Sequence, residues 1–233
     1  MASRPAALER PVPVDAMTGQ LAWSMPDTVQ SVVRCDTNGP LLAAAAQLWI
    51  RDADHVVDVT YGRGAFWTRY RPAHFVAHDQ VTDGCDFRRL PEDDETVDVV
   101  VFDPPYVEQG GRTTTGVPDF LERYGLMDGP TTLGDLRRLM AAGILEGARV
   151  LRPSGRLLVK CCDFTANGRY QQFRMHVVTV ATAADLEQQD ELVHHSGTGP
   201  NGRPPPYLRS RRAHSFLCVF QKPPIWKSRK DYE

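Results

Sequence analysis

Val99-Val100-Val101-Phe102-Asp103-Pro104-Pro105-Tyr106 joins an apolar, β-branched run to a carboxylate, two prolines and an aromatic ring. The run has the length and composition of a buried strand, and the prolines forbid its continuation because neither can donate to a ladder. Pro105 also drives Pro104 away from helical backbone, so the chain leaves the strand extended and stiff. What emerges is a rigid strand end that carries one acceptor side chain, a backbone carbonyl and a flat ring. Taken alone, the element is compatible with a strand capped by a Pro-Pro turn. Its neighbours in the sequence weigh against that reading.

Upstream, residues 39–52 have the propensity of a helix, with Cys35-Asp36-Thr37-Asn38 offering N-cap side chains before it. Residues 55–59 read as a short buried strand running into Asp58-Val59-Thr60-Tyr61-Gly62-Arg63-Gly64-Ala65-Phe66-Trp67. A strand, a glycine-rich turn and an ensuing helix form the nucleotide cradle of doubly wound folds, because glycine lets backbone approach a ligand and a helix N-terminus presents unpaired N–H groups. A second strand is expected over 74–78, ending at Asp79, where an acidic side chain about 20 positions past the glycine turn can hold ribose hydroxyls. Asp86 follows, just before the apolar Phe87. Residues 92–95 read as an acidic surface turn.

Downstream, residues 107–132 show little apolar periodicity, and a connection of that length is uncommon unless it is a lid or a binding loop. Thr132 then caps a helix with Leu133, Leu136, Met140, Ile144 and Ala148 at helical spacing. Arg152-Pro153-Ser154-Gly155 stops it, and 156–162 reads as another buried strand. Residues 172–185 are read as a helix on the spacing of Phe173, Val177, Val180, Ala181 and Ala184, with strands over 186–195 and 215–221 pairing after it. Between those strands, 196–212 is rich in Gly and Pro and carries Arg203, Tyr207, Arg209, Arg211 and Arg212. Arginines interleaved with an aromatic suit phosphate and base contacts.

Composition sets the outer bounds. With 24% charged and 42% hydrophobic residues the chain of 233 fits one globular α/β domain, expected over 23–222, flanked by a loose tail at 1–22 and a basic tail at 223–233. No apolar run approaches the ~20 residues that span a bilayer, so no membrane partner is expected. Five cysteines without a CxxC pair fit a reducing, cytoplasmic compartment and argue against a structural zinc site. Residues 1–110 hold 9 Lys and Arg against 17 Asp and Glu, whereas 111–233 hold 18 against 12. That asymmetry points to a polyanionic partner for the second half.

With these pieces in order, the chain resembles the S-adenosylmethionine-dependent amino-methyltransferases of nucleic acids, above all the DNA adenine-N6 and cytosine-N4 enzymes. The resemblance rests on Asp58-x-x-x-Gly62-x-Gly64, Asp79, Asp86, Asp103-Pro104-Pro105-Tyr106, the segment from Leu151 to Lys160 and Arg212-Ala213-His214-Ser215-Phe216. It covers about residues 35–222. It implies a class I methyltransferase, Rossmann-like sheet of about seven strands, mostly parallel with the last strand antiparallel, and helices on both faces. S-adenosyl-L-methionine would be held by Thr37 and Asn38 at its methionine end, by Asp58, Thr60, Tyr61, Gly62, Gly64 and Phe66 at the glycine turn, by Asp79 at the ribose and by Asp86 at the adenine. Thr60 departs from the family, which usually has Phe there; Tyr61 or Phe66 is the candidate to compensate.

The resemblance also assigns chemistry. An exocyclic amino nitrogen is a poor nucleophile because its lone pair is delocalised into the base; accepting its two N–H hydrogens on the Asp103 carboxylate and the Pro104 carbonyl favours a pyramidal nitrogen. Pro105 stiffens the motif, and Tyr106 would stack on a base taken out of the helix. No metal is required. Nucleic-acid contacts fall to Arg112 and to the 196–212 loop, with DNA favoured over RNA, and to a homodimer partner where a separate recognition domain finds no room. Adenine N6 is the first expectation, because Asp at the first motif position is commoner there than in cytosine-N4 enzymes. The open alternatives are a cytosine-N4 or RNA amino-methyltransferase, a protein-glutamine N5-methyltransferase with its related Asn-Pro-Pro-Tyr, and an inactive nucleic-acid-binding relative.

Overall fold

The computed structural model describes residues 29–104, 132–166, 169–196 and 213–225. Pro105, Tyr106, Arg112, Arg203, Tyr207, Arg209, Arg211 and Arg212, together with the terminal tail residues 1–28 and 226–233, lie outside the described residues. In chain order the elements are β1 (Val32–Arg34), α1 (Asn38–Trp49), β2 (His55–Asp58), β3 (His74–Ala77), β4 (Val97–Phe102), α2 (Leu133–Val150), β5 (Leu151–Cys161), β6 (Phe164–Ala166), β7 (Arg169–Gln171), α3 (Phe173–Ala183), β8 (Glu187–His195) and β9 (His214–Gln221).

Seven strands form one sheet in the order β1-β8-β9-β5-β4-β2-β3, and β6 pairs with β7 as a separate hairpin. All neighbours are parallel except those of β9, the last strand in sequence, which runs antiparallel to both β5 and β8. β4 is buried at all six positions because it lies between β2 and β5 with both faces covered. Period-two alternation sorts its side chains: Val100 and Phe102 pack with Leu136, Met140, Ile144 and Phe173 of α2 and α3, while Val99 and Val101 pack with Leu41, Leu42, Ala45 and Ala46 of α1. Helices on both faces are therefore present. Thr132 opens α2 with a reciprocal capping box to Asp135.

Three sequence expectations need correction or extension. No α-helix follows the glycine turn; Ala65–Trp67 is a single 3-10 turn. Only nine residues separate Gly64 from His74, and Pro72 both lacks an N–H and disfavours helical backbone at Arg71. The strand expected from 156 starts instead at Leu151, directly after α2, and its register with β4 jumps between Val97↔Leu151 and Val99↔Arg156. That irregularity absorbs Pro153, Ser154 and Gly155, with Ser154 at φ 66°. β1 and the β6–β7 hairpin had no sequence signal, because three residues are too few to show alternation; β1 exists through its pairing with β8.

Gly143 sits where α2 crosses β4, and a Cβ there would run into the Phe102 ring, one residue before Asp103. Gly143→Ala is expected to cost about 1–3 kcal/mol by overpacking, measured as a lowered denaturation midpoint. A midpoint equal to the wild type's would show that the ring has room to move.

Candidate active site

From β2 the chain leaves in opposite directions, to β3 on one side and then to β4 on the other. The crevice outside the carboxyl ends of β2 and β4 is thus the switch point of the sheet, where open α/β folds bind their ligands. The glycine turn and the Asp103-Pro104 step both emerge there. Thr60 joins them: its Oγ1 accepts the Asp103 N–H at 2.7 Å. The residue that departs from the family pattern thus ties the turn to the motif. Asn38, at the start of α1, donates from Nδ2 to Asp103 Oδ2 at 3.5 Å and accepts at Oδ1 from Lys160 Nζ at 2.9 Å. Lys160 Nζ also stands 5.5 Å from the centre of the Phe66 ring.

The turn itself is built on left-handed backbone, with Gly62 at φ 52° and Gly64 at φ 71°. A Cβ on Gly64 would come within 2.6 Å of the Tyr61 hydroxyl, so the turn closes only around glycine. The Gly62 N–H donates to Asp79 Oδ2 at 3.0 Å, and Asp79 Oδ1 accepts from Val81 N–H at 2.9 Å. The Tyr61 ring packs on Phe75, 5.9 Å between centres, and its N–H donates to the His78 carbonyl. Thr37 is the N-cap of α1 in extended backbone, and its side chain makes no capping bond.

Besides Asn38, Thr60 and the 3% exposed Asp79, two more of the expected cofactor residues, Asp58 and Asp86, are engaged by neighbours within the protein. Asp58 is 3% exposed, accepts Thr60 N–H at 2.8 Å on Oδ1 and the Trp67 indole N–H at 2.5 Å on Oδ2. It shapes the turn from beneath. Asp86 forms a forked pair with Arg88, whose Nε and Nη2 lie 2.6–3.0 Å from its oxygens, and this holds its carboxyl below the ordinary value.

His78, which the sequence did not single out, braces the Asp79 loop. Its Nδ1 is 2.8 Å from Asp83 Oδ2 and its Nε2 2.8 Å from Glu92 Oε1. Asp83 Oδ1 in turn accepts the N–H groups of Asp79 and Cys85, both at 3.0 Å. Burial pulls the imidazole down, but the two carboxylates outweigh it and raise its pKa. Lys160 has no role legible in the sequence beyond its being the lone charge in the run Leu157-Leu158-Val159-Lys160-Cys161.

Burial pushes the Asp58 carboxyl up to about 7, with the Asp103 carboxylate pushing the same way and the Trp67 and Thr60 donors pulling back. The unfolded chain releases this proton near 3.8, so between those values the folded state holds one proton more. Asp58 therefore makes stability fall as pH rises from about 4 to about 7. Denaturation midpoints across that window are expected to lose this component in Asp58→Asn; an unaltered slope would contradict it.

Strand order, the antiparallel last strand and a glycine turn at the switch point define the chain as a class I methyltransferase-type α/β fold. No protein-family model matches it. Among curated proteins it is similar to the release factor glutamine methyltransferase of Mycolicibacterium smegmatis, 27% identical over 197 residues that cover 72% of this chain and 68% of that one. Among solved structures it is similar to a methyltransferase candidate from Bacillus halodurans (14% identity, 78% of this chain and 98% of that one, TM-score 0.48). It is also similar to a candidate DNA modification methylase of Thermus thermophilus complexed with S-adenosyl-L-methionine (16% identity, 61% of this chain, TM-score 0.39). The chain spans about half, 53%, of the length of that Thermus protein.

Proposed function

We propose that the chain is an S-adenosylmethionine-dependent methyltransferase that modifies the exocyclic amino nitrogen of a base in DNA, adenine N6 first. The observation that carries this reading is the coupling of Asp103 to the glycine turn through Thr60, at the switch point of the sheet. The residues fit the cofactor: at Gly62 nothing lies closer than 3.9 Å to where a Cβ would stand, and α1 starts beside the turn without a side-chain cap. Gly62, Gly64 and the first turn of α1 would hold the methionine part, Asp79 the ribose and Asp86 the adenine. When bound, S-adenosylmethionine supplies an electrophilic methyl group on a sulfonium.

The chain's own residues position the acceptor. The Asp103 carboxylate and the Pro104 carbonyl take the two N–H hydrogens of the amino group, and Tyr106 stacks on its base. Thr60 anchors the Asp103 backbone and Asn38 reaches its carboxylate, so positioning supplies much of the catalysis. The polymer reading draws on the basic balance of residues 111–233 and on the 196–212 arginines.

The similarity to a release factor glutamine methyltransferase favours a second reading, a protein side-chain amide as acceptor. Asp103 in place of the Asn of Asn-Pro-Pro-Tyr weighs against it. Methyl-labelled cofactor incubated with DNA, RNA and protein separates the readings. Label in N6-methyladenine of DNA is expected; label in N4-methylcytosine, in RNA or in protein glutamine moves the assignment accordingly.

A further inference from the structure

Lys160 is 2% exposed, on the sheet face that α1 covers. No carboxylate among the described residues lies within ion-pair distance of its Nζ, and its hydrogen-bond acceptor there is Asn38 Oδ1 at 2.9 Å. A buried ammonium is costly unless it is compensated, and an apolar side chain would fill the same place more cheaply. Among the described residues the compensation comes from the Asn38 amide and the Phe66 ring 5.5 Å from Nζ, and the orientation of the amide is fixed by chemistry. Lysine has only donors and an ionised carboxylate only acceptors, so an amide held between them has one consistent orientation, oxygen to Lys160 and NH2 to Asp103.

We propose that Lys160 is a positioning residue, which acts through the Asn38 amide to hold the Asp103 carboxylate in the orientation that receives the amino group. The consequence for catalysis rests on the methyltransferase reading; the Lys160–Asn38–Asp103 relay does not. The ammonium polarises the amide and strengthens its N–H toward Asp103, as chains of hydrogen bonds do in a low-dielectric interior. Reversing the amide would set NH2 against an ammonium and oxygen against a carboxylate. The neutral Asn38 thereby carries the influence of a buried cation to an anion that it does not touch.

The test compares the 15N-labelled full chain with Lys160→Met, which removes the charge at similar volume. The Asn38 side-chain N–H signals are identified by their loss in Asn38→Asp. In the wild type they are expected to exchange slowly with solvent, and in Lys160→Met about 10-fold faster, while the backbone amides of Leu41 and Leu42 keep their protection. S-adenosylmethionine affinity is expected to stay within about 2-fold, and kcat on the polymer that the wild type methylates to fall about 100-fold without a rise in cofactor KM. Unchanged exchange at Asn38 overturns the relay, whatever chemistry the site performs. A tenfold loss of cofactor affinity with kcat at saturating cofactor unchanged overturns the positioning role too, because Lys160 then serves the cofactor and not Asp103. A wild type that binds no cofactor sinks the methyltransferase reading alone, and the exchange data still decide the relay. Should Lys160→Met fail to fold, Lys160→Gln carries the same exchange measurement with the same expected direction.

Discussion

Asp103→Ala is expected to cut methyl transfer by about 1000-fold while leaving S-adenosylmethionine affinity within about 2-fold. The split follows from where Asp103 stands. Its backbone is anchored to Thr60 and its carboxylate is reached by Asn38, whereas the cradle proposed for the cofactor is built from Gly62, Gly64 and the first turn of α1, with the Asp79 loop beside them. Removing the carboxylate leaves the backbone of that cradle standing and takes away the acceptor proposed for the amino hydrogens. Single-turnover transfer measures the first quantity and calorimetric titration the second. A variant that still transfers at the wild-type rate would mean that the amino group is held elsewhere. Equal losses in binding and transfer would mean that Asp103 serves the cofactor.

Gly64→Val is expected to produce the opposite split: cofactor affinity lost by about 10- to 100-fold, with the core intact. Gly64 lies at φ 71°, where a β-branched residue is strained by about 1–3 kcal/mol. A Cβ would also press on the Tyr61 ring, which is backed by Phe75 and so has little freedom to yield. Relief must come from the turn, which is where the cofactor would lie. The strand hydrogen bonds of β2 and β3 do not depend on it, so the thermal midpoint should move far less than the affinity. Wild-type affinity in this variant would show that the turn does not contact the ligand.

Much of the fold could be read from the sequence because long apolar runs leave few choices. Val99 to Phe102 reads as a buried strand and is one, and the 172–185 segment, with both helical and strand features, resolves as helix. Thr132 was legible as a cap because its hydroxyl and Asp135 can satisfy each other locally. What was not legible depends on partners distant in sequence. β1 needs β8, about 160 residues later, to exist as a strand. The missing helix after Gly64 turns on Pro72 and on the anchoring of Trp67 by Asp58, a bond that no local pattern announces.

The candidate site shows the same division. Motif order placed Asp103, Gly62, Gly64 and Asp79 in one neighbourhood, and the sheet brings them to one crevice. The roles of Thr60, Lys160 and His78 come from side chains that meet across strands. Thr60, a departure from the family pattern by sequence, proves to be the link between the two halves of the crevice. Among the described residues no helix is long and apolar enough to cross a membrane.

The most direct measurement is a calorimetric titration of the wild-type chain with S-adenosylmethionine, repeated in the presence of the demethylated product S-adenosylhomocysteine. One equivalent should bind, and the product should compete for it. Absence of binding at millimolar cofactor would contradict a methyltransferase site in this crevice.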